Sequence, residues 1–155
     1  MANWKQLSED DAKAHRLYGV KGWLLVILIL MALGALNSLV SLFAYTEMRA
    51  LYGAYAPVST ILSILFGLIY ALIALAGFLK DSRFPAYVIQ MLYVTMVVAV
   101  INSVAAGVLA PVQIGKMSAI AGGLIGLVQG GLLIWYFKAS KRVNVTYFHR
   151  VRADE

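Results

Sequence analysis

Four long apolar stretches without Asp, Glu, Lys, Arg or His divide this chain of 155 residues, and they constrain its fold more than any other feature. Each approaches or exceeds the roughly 20 residues that an α-helix needs to cross about 30 Å of hydrocarbon. They cover residues 22–45, 58–79, 86–110 and 118–137. The pattern therefore predicts an all-α fold, an integral membrane four-helix bundle.

The composition agrees with a membrane protein. Hydrophobic residues make up 62% of the chain, charged residues make up 13%, and the mean hydropathy is +0.82. A soluble domain has about 25% charged residues. The end segments, residues 1–21 and 138–155, are too short for a separate domain. We therefore predict that residues 1–155 form a single transmembrane domain with two cytoplasmic tails.

The segment that precedes the first stretch contains a helix-start signal. Ser8 can cap a helix, and the acidic residues at 9–11 would face the positive end of its dipole. This predicts a short amphipathic helix near the amino terminus. The residues that it would turn toward lipid or toward the bundle are Trp4, Leu7, Ala14, Leu17 and Tyr18.

Basic residues are distributed very unevenly about the four stretches. Eleven of the thirteen Lys and Arg residues lie in the two end segments and the middle loop, and only Arg49 and Lys116 lie in the other loops. Positive residues in short loops and tails favour the cytoplasmic side of a membrane. The distribution predicts a multi-pass membrane protein with both termini in the cytoplasm.

Small residues recur at intervals of four along the fourth stretch. They are Ser118, Gly122, Gly126 and Gly130. Such a glycine ladder permits the close backbone approach that holds helices together in lipid. Packing within one bundle and pairing with another chain, including a second copy, are both open from the sequence, and we favour internal packing.

Neutral polar residues gather in the half of each stretch that the topology places toward the outside. Asn37, Ser41, Ser59, Thr60, Ser63, Asn102 and Ser103 belong to this set. They can bond between helices and so hold the bundle together, with Asn37 facing Asn102 as the favoured pair. Alternatively, they line an outward-facing polar cleft that binds a lipid headgroup or a small neutral solute.

The stretches contain no residues suited to acid–base, nucleophilic or metal chemistry. His15 and His149 lie in the tails, and cysteine is absent. Ionisable groups kept within a membrane usually mark catalysis or proton coupling. We therefore predict a protein that is not an enzyme and that binds neither a metal nor a cofactor.

Basic residues emerge directly from the fourth stretch at Lys138, Lys141 and Arg142. Each Lys or Arg near an anionic membrane contributes about 1 kcal/mol of attraction. We predict that these three contact anionic lipid phosphates or the acidic surface of a membrane protein partner. Because membrane orientation explains the basic composition, we do not expect nucleic acid as a partner.

Two segments carry a family resemblance. Residues 17–24 read LYGVKGWL, and residues 136–147 contain YF, SKRV and TY. Together with the four-stretch layout, they resemble an uncharacterised family of small bacterial inner-membrane proteins named domain of unknown function 2569. The resemblance implies an inner-membrane location and no established activity. Both segments lie on one side in the predicted topology, so we expect them to meet.

The favoured function is that of an accessory or scaffold component of a membrane protein assembly. The alternative is a small lipid- or solute-binding protein, or a permease, that uses the outward-facing polar cleft.

Overall fold

The structure, a computed structural model, describes residues 4–109, 111 and 113–153. Its elements in chain order are β1 (Trp4–Gln6), α1 (Glu9–Ala14), α2 (Trp23–Phe43), α3 (Tyr45–Tyr52), a 3-10 helix (Gly53–Tyr55), α4 (Ala56–Phe78), α5 (Phe84–Leu109), α6 (Gln113–Ala139), α7 (Lys141–Phe148) and β2 (Arg150–Arg152). Four of them, α2, α4, α5 and α6, contain segments long and apolar enough to cross a membrane. The predicted all-α membrane fold with four spanning helices is therefore confirmed.

The four long helices form two antiparallel hairpins. α2 packs along α4 and α5 packs along α6, whereas α4 and α5 meet over a far smaller area. We call residues 23–78 hairpin 1 and residues 84–139 hairpin 2. Gly67 lies against Ser38 in hairpin 1, and Gly123 lies against Ser103 in hairpin 2. The absence of a side chain at each glycine lets the two helices approach closely, which is the main source of helix association in lipid.

The turn between the hairpins is fixed by a left-handed residue. Lys80 has a φ of 59°, and its backbone N–H donates to the Gly77 carbonyl at 3.2 Å. The Asp81 N–H donates to the Ala76 carbonyl at 3.0 Å, which completes a Schellman cap on α4. The Asp81 carboxylate then accepts from the Arg83 N–H at 2.8 Å, just before α5 begins. A tight turn therefore joins the two hairpins.

Both ends of the described chain lie together at one end of the bundle, which we call the terminal end. β1 pairs with β2 in an antiparallel sheet, with Trp4 opposite Arg152 and Gln6 opposite Arg150. The Leu7 N–H continues this contact by donating to the His149 carbonyl at 2.7 Å. The two segments predicted as tails are therefore folded against each other.

The predicted amino-terminal helix is present but shorter than the residues assigned to it. The Ser8 hydroxyl caps α1 by accepting from the Asp11 N–H at 3.2 Å, as expected. Trp4 lies in a strand, however, and Leu17 and Tyr18 follow the end of the helix. The helix stops because His15 adopts an extended conformation and its ring nitrogen accepts from the Leu17 N–H at 3.1 Å.

The opposite end of the bundle carries α3 and the 3-10 helix, neither of which the sequence patterns predicted. The chain leaves α2 at Ala44, runs through α3 and returns into α4. The Tyr55 hydroxyl donates to the Asn102 side-chain oxygen, and the Tyr52 hydroxyl lies 3.1 Å from the Ser118 hydroxyl. The connection of hairpin 1 thus bonds to both helices of hairpin 2.

Candidate functional site

A cavity of about 390 Å³ lies between the two hairpins, where their contact is thin. All four spanning helices contribute to its wall. The lining residues are Ile27, Leu30, Met31, Gly34, Ser38, Ser63, Phe66, Gly67, Tyr70, Val88, Leu92, Thr95, Met96, Gly126, Gln129, Gly130, Leu133 and Phe137. The wall is mainly aliphatic and aromatic, and none of these residues is Asp, Glu, Lys, Arg or His.

One hydrogen bond crosses the cavity from hairpin 1 to hairpin 2. The Tyr70 hydroxyl lies 2.9 Å from the Thr95 hydroxyl oxygen. Thr95 donates its own hydrogen to the Met91 carbonyl at 2.8 Å, so Tyr70 is the donor in the pair. The Ser38 hydroxyl likewise donates within its own helix, to the Ala35 carbonyl at 2.6 Å. The hydrogens of these three hydroxyls are therefore already used.

Two other polar groups in the wall are unpaired. Ser63 on α4 and Gln129 on α6 make no hydrogen bond to any other residue that the structure describes. The hydroxyl offers one hydrogen, and the amide offers two hydrogens and an acceptor oxygen. These groups are available to a bound molecule.

An aromatic layer closes the cavity at the terminal end. Phe137 lines the cavity and packs edge-on against Phe84, with ring centroids 5.6 Å apart. Phe84 in turn packs on Tyr147, with centroids 4.9 Å apart. Leu24 and Leu28 complete the same buried cluster. All five side chains are at most 2% exposed, so the layer separates the cavity from the surface at this end.

The two segments that carry the family resemblance meet over this layer, as predicted. The Gly19 N–H donates to the Thr146 hydroxyl oxygen at 3.1 Å, and the Arg142 guanidinium donates to the Leu17 carbonyl at 3.2 Å. The Tyr147 hydroxyl donates to the Gly77 carbonyl at 2.8 Å. Burial raises the pKa of Tyr147 above its usual value because the charged phenolate would lose its hydration.

The residues of the hypothetical outward cleft are not gathered at the cavity, which only Ser63 of the seven lines. Ser41 and Ser59 donate within their own helices, to the Ser38 and Ala56 carbonyls. Thr60 is buried, and its hydroxyl has no partner among the described residues.

The other three residues of that set have different surroundings. The Ser103 hydroxyl shares its one hydrogen between the Ala99 carbonyl oxygen at 2.7 Å and, across the hairpin, the Ala119 carbonyl oxygen at 2.9 Å. Asn102 accepts from Tyr55. Asn37 is exposed and makes no hydrogen bond within the described part of the chain. The favoured pairing of Asn37 with Asn102 is therefore not observed.

The predicted glycine ladder is divided between different faces of α6. Gly130 is buried, and a Cβ there would lie 2.8 Å from the Met96 side chain. Gly126 is half-buried, with the Ala99 Cβ 3.9 Å from the position of an added Cβ. Gly122 does not pack against another helix of this bundle, because an added Cβ there would have no neighbour within 4 Å. Ser118 is exposed, beside Tyr52.

The three basic residues predicted to contact lipid or a protein partner differ in their exposure. Lys138 is exposed, and its amine lies 3.4 Å from the Tyr93 hydroxyl. Arg142 is half-buried and, through its bond to Leu17, holds the two resembling segments together. Lys141 is also half-buried. Lys138 is therefore the most open of the three.

Sequence reasoning missed the two Ser–Gly contacts, although a signal for them is present. Residues 31–38 read MALGALNS, and residues 96–103 read MVVAVINS, with Met, Asn and Ser at equivalent positions. The serines that end these segments, Ser38 and Ser103, are the ones that face Gly67 and Gly123. The repeated segment thus marks the packing face of the first helix in each hairpin.

Four apolar helices arranged as two hairpins define a multi-pass membrane protein. Among the residues that the structure describes, no group of three His, Asp or Glu residues is placed to hold a metal ion.

The chain belongs to the family described as Protein of unknown function (DUF2569), whose sequence profile matches residues 17–148. Comparison with the curated proteins and with the solved structures gives no match.

Proposed function

We propose that this protein is a non-enzymatic membrane protein that binds a small lipid or another neutral, mainly apolar molecule between its two hairpins. The observation that carries the proposal is the cavity, which has a mainly apolar wall from all four spanning helices and two unpaired polar groups. Ligand pockets commonly combine an apolar wall with a few polar groups that orient the ligand. The volume of about 390 Å³ is within the roughly 300–1,000 Å³ that is usual for such pockets.

The surroundings of the cavity favour binding over passage across the membrane. A permease must open its site to each side in turn, and opening the terminal end here would break the buried aromatic layer of Phe84, Phe137 and Tyr147. This layer is part of the buried cluster that also contains Leu24 and Leu28, and the hydrogen bond from Tyr147 to the Gly77 carbonyl links it to α4. A molecule dissolved in the bilayer can enter between the hairpins without disturbing this layer.

We also propose that the protein lies in the bacterial inner membrane with its termini in the cytoplasm. The terminal end carries eleven of the thirteen basic residues, which supports this orientation. Anionic lipids are then the expected partners of exposed basic side chains such as Lys138 at this end.

A second candidate function is that of an accessory or scaffold component in a membrane assembly. Asn37 favours it, because its exposed amide lies within a spanning helix, where an unpaired polar group is costly. A hydrogen bond from a second copy or from another membrane protein would relieve this cost. The two functions are compatible, since the cavity and Asn37 are distinct sites.

Filling the cavity by mutation tests the binding proposal. Gly126 and Gly34 line the cavity from different hairpins, and neither position is sterically blocked. Gly126→Leu and Gly34→Leu are therefore expected to occupy the cavity and to weaken binding at least tenfold. Gly122→Leu is the matched control, one turn from Gly126 on an exposed face with open space around it.

The measurement is displacement of cis-parinaric acid methyl ester, a fluorescent neutral chain, from protein in nanodiscs. Native mass spectrometry of the same samples records bound lipids and any stoichiometric protein partner. Equal binding by the Gly126, Gly34 and Gly122 variants would contradict the binding proposal. A partner that is retained by all three variants, without any bound lipid, would favour the scaffold function instead.

A further inference from the structure

Gln129 is the polar group in the cavity wall whose chemistry most restricts the ligand. It lies ten residues before the end of α6 at Ala139, and so about 15 Å along the helix from the terminal end at 1.5 Å per residue. This places the amide near the middle of the hydrocarbon layer. Its neighbours in the wall are apolar, and it has no hydrogen-bond partner within the described chain. Its side chain is exposed, so the amide lies at the open side of the cavity, which faces the hydrocarbon of the bilayer. Ser63 is unpaired on the facing hairpin.

We infer that the ligand is an uncharged lipid with a single hydrocarbon chain and a carbonyl group, and that the carbonyl accepts a hydrogen bond from Gln129. This inference rests on the proposed binding function and names the chemical class of the ligand. The chain of the ligand lies against the aliphatic wall, and its carbonyl group lies at the unpaired amide.

The wall of the cavity excludes a charged ligand. A carboxylate, phosphate or ammonium group that leaves water must be paired with an opposite charge, because an isolated buried ion is very costly. The ionisable group in the described wall is the Tyr70 phenol, which already donates to Thr95. The basic side chains of the terminal end are separated from the cavity by the aromatic layer. The ligand must therefore be neutral.

The hydrogen-bonding capacity of the wall favours an acceptor on the ligand. Gln129 has two hydrogens to donate and Ser63 has one, whereas the hydrogens of Tyr70, Thr95 and Ser38 are used. A donor left unpaired in apolar surroundings is costly, and a ligand acceptor relieves that cost. A carbonyl provides two acceptor lone pairs on one small atom, so it can bond to the amide without a proton of its own.

The size of the cavity and its closed end restrict the ligand further. A volume of about 390 Å³ lies near the small end of the ligand-pocket range, which suits one chain rather than the two chains of a phospholipid. Leu30 and Gln129 line the cavity and are exposed, so the cavity is open at its side and the ligand enters from the bilayer. Lipids with one chain and a neutral carbonyl include monoacylglycerols and quinones with a hydrocarbon tail.

Three competitors with matched chains test the inference by displacing cis-parinaric acid methyl ester in nanodiscs. Methyl oleate carries the neutral carbonyl, octadecene lacks it, and oleate at pH 9 carries a charge. We expect methyl oleate to bind at least fivefold more tightly than the other two. Monoolein and decylubiquinone then distinguish the two sources of the carbonyl, and tight binding by either supports the inference.

Gln129→Leu is expected to weaken methyl oleate binding roughly five- to tenfold, the loss of about one hydrogen bond, and to leave octadecene binding unchanged. Gln90→Leu is the matched control, because Gln90, like Gln129, is an exposed amide in a spanning helix but lies outside the cavity wall. Equal losses for the two competitors, or tighter binding of oleate, would overturn the inference.

The result also separates this inference from the proposed function. If Gly126→Leu abolishes binding and Gln129→Leu has no effect, the cavity binds hydrocarbon chains without a hydrogen bond to the ligand carbonyl. Only the inference then fails. If neither substitution affects binding, the proposed binding function fails with it.

Discussion

Replacing Gly67 by alanine is expected to push α2 and α4 apart and to destabilise hairpin 1. The added Cβ would lie 2.5 Å from the Ser38 Cβ and 3.3 Å from the Ala35 carbonyl oxygen. Ser38 is 7% exposed and donates to the same carbonyl at 2.6 Å. Rotating the serine hydroxyl away cannot relieve the contact, because the Ser38 Cβ is fixed by the backbone of α2.

The size of the effect follows from the required movement. A tolerable contact needs at least 3.4 Å between the two Cβ atoms, so the helices must separate by 3.4 − 2.5 = 0.9 Å at this point. Overpacking of this kind costs about 1–3 kcal/mol. Gly34→Ala is the control for helix propensity, because Gly34 lies on α2 of the same hairpin and an added Cβ there has open space. We expect the two variants to differ in stability by about 1–3 kcal/mol.

The measurement is the midpoint of thermal unfolding in a mild detergent. Unfolding is monitored as the loss of the monodisperse peak in size-exclusion chromatography. The double variant Ser38→Gly, Gly67→Ala is expected to recover most of the lost stability, because it removes the side chain that collides with the new methyl group. The packing account is refuted if Gly67→Ala is as stable as Gly34→Ala, or if Ser38→Gly gives no recovery.

Two further predictions concern the stability of the terminal end and the orientation of the bundle in the membrane. Tyr147→Phe is expected to cost about 1 kcal/mol of unfolding free energy, since it removes the buried bond to the Gly77 carbonyl, which keeps the Lys80 N–H as a donor. Because burial raises the pKa of Tyr147 in the folded state, the unfolded chain loses this proton first as the pH rises above about 10. The free energy of unfolding therefore falls more steeply with pH in that range for the natural protein than for Tyr147→Phe. Equal dependence of the unfolding free energy on pH in the two proteins would contradict this. In a chain without natural cysteine, Ala54→Cys and Ser82→Cys place exposed thiols at opposite ends of the bundle. An impermeant reagent applied to intact spheroplasts is expected to label position 54 and not position 82, and the reverse pattern would invert the proposed orientation.

The four spanning helices could be predicted from the sequence because lipid imposes a simple rule on length and charge. The position of the cavity could not be predicted in this way. In a soluble bundle, the polar face of each helix identifies its outer side, but in lipid the outer side and the core are both apolar. Trp23 and Leu24 are adjacent and both apolar, yet Trp23 is 74% exposed and Leu24 is fully buried. Which faces meet is decided by packing shape, which hydropathy does not record.

The glycine ladder illustrates the same limit. A spacing of four suggested one face with Gly122, Gly126 and Gly130, but Gly123 and Gly130 make the close contacts with α5. These two are seven residues apart, as are Ser103 and Met96, which face them. Antiparallel helices that cross at about 20° keep a seven-residue spacing in contact. A four-residue stripe drifts away from such an interface within two turns.

The fold of the terminal end depends on contacts between residues that are far apart in the sequence, and no local sequence pattern reveals such contacts. Gln6 and Arg150 pair across nearly the whole chain, and the fit of Arg142 to the Leu17 carbonyl requires both hairpins to be in place. The family resemblance indicated that these segments belong together, but it did not indicate how. The Tyr147 hydroxyl adds a buried bond to the Gly77 carbonyl, which local sequence does not indicate.

The repeated segments at residues 31–38 and 96–103 explain why a cavity forms between the two hairpins. Each hairpin satisfies its own close contact, Ser38 on Gly67 or Ser103 on Gly123, and therefore packs well without the other. The two hairpins then meet chiefly at their ends, through the aromatic layer at one end and the bond from Tyr55 to Asn102 at the other. Between these ends, only a few side chains bridge the gap, among them Tyr70 and Thr95. An interface between two internally complete units is where membrane proteins built from repeats commonly place a ligand, and the unpaired amide of Gln129 is positioned in this interface.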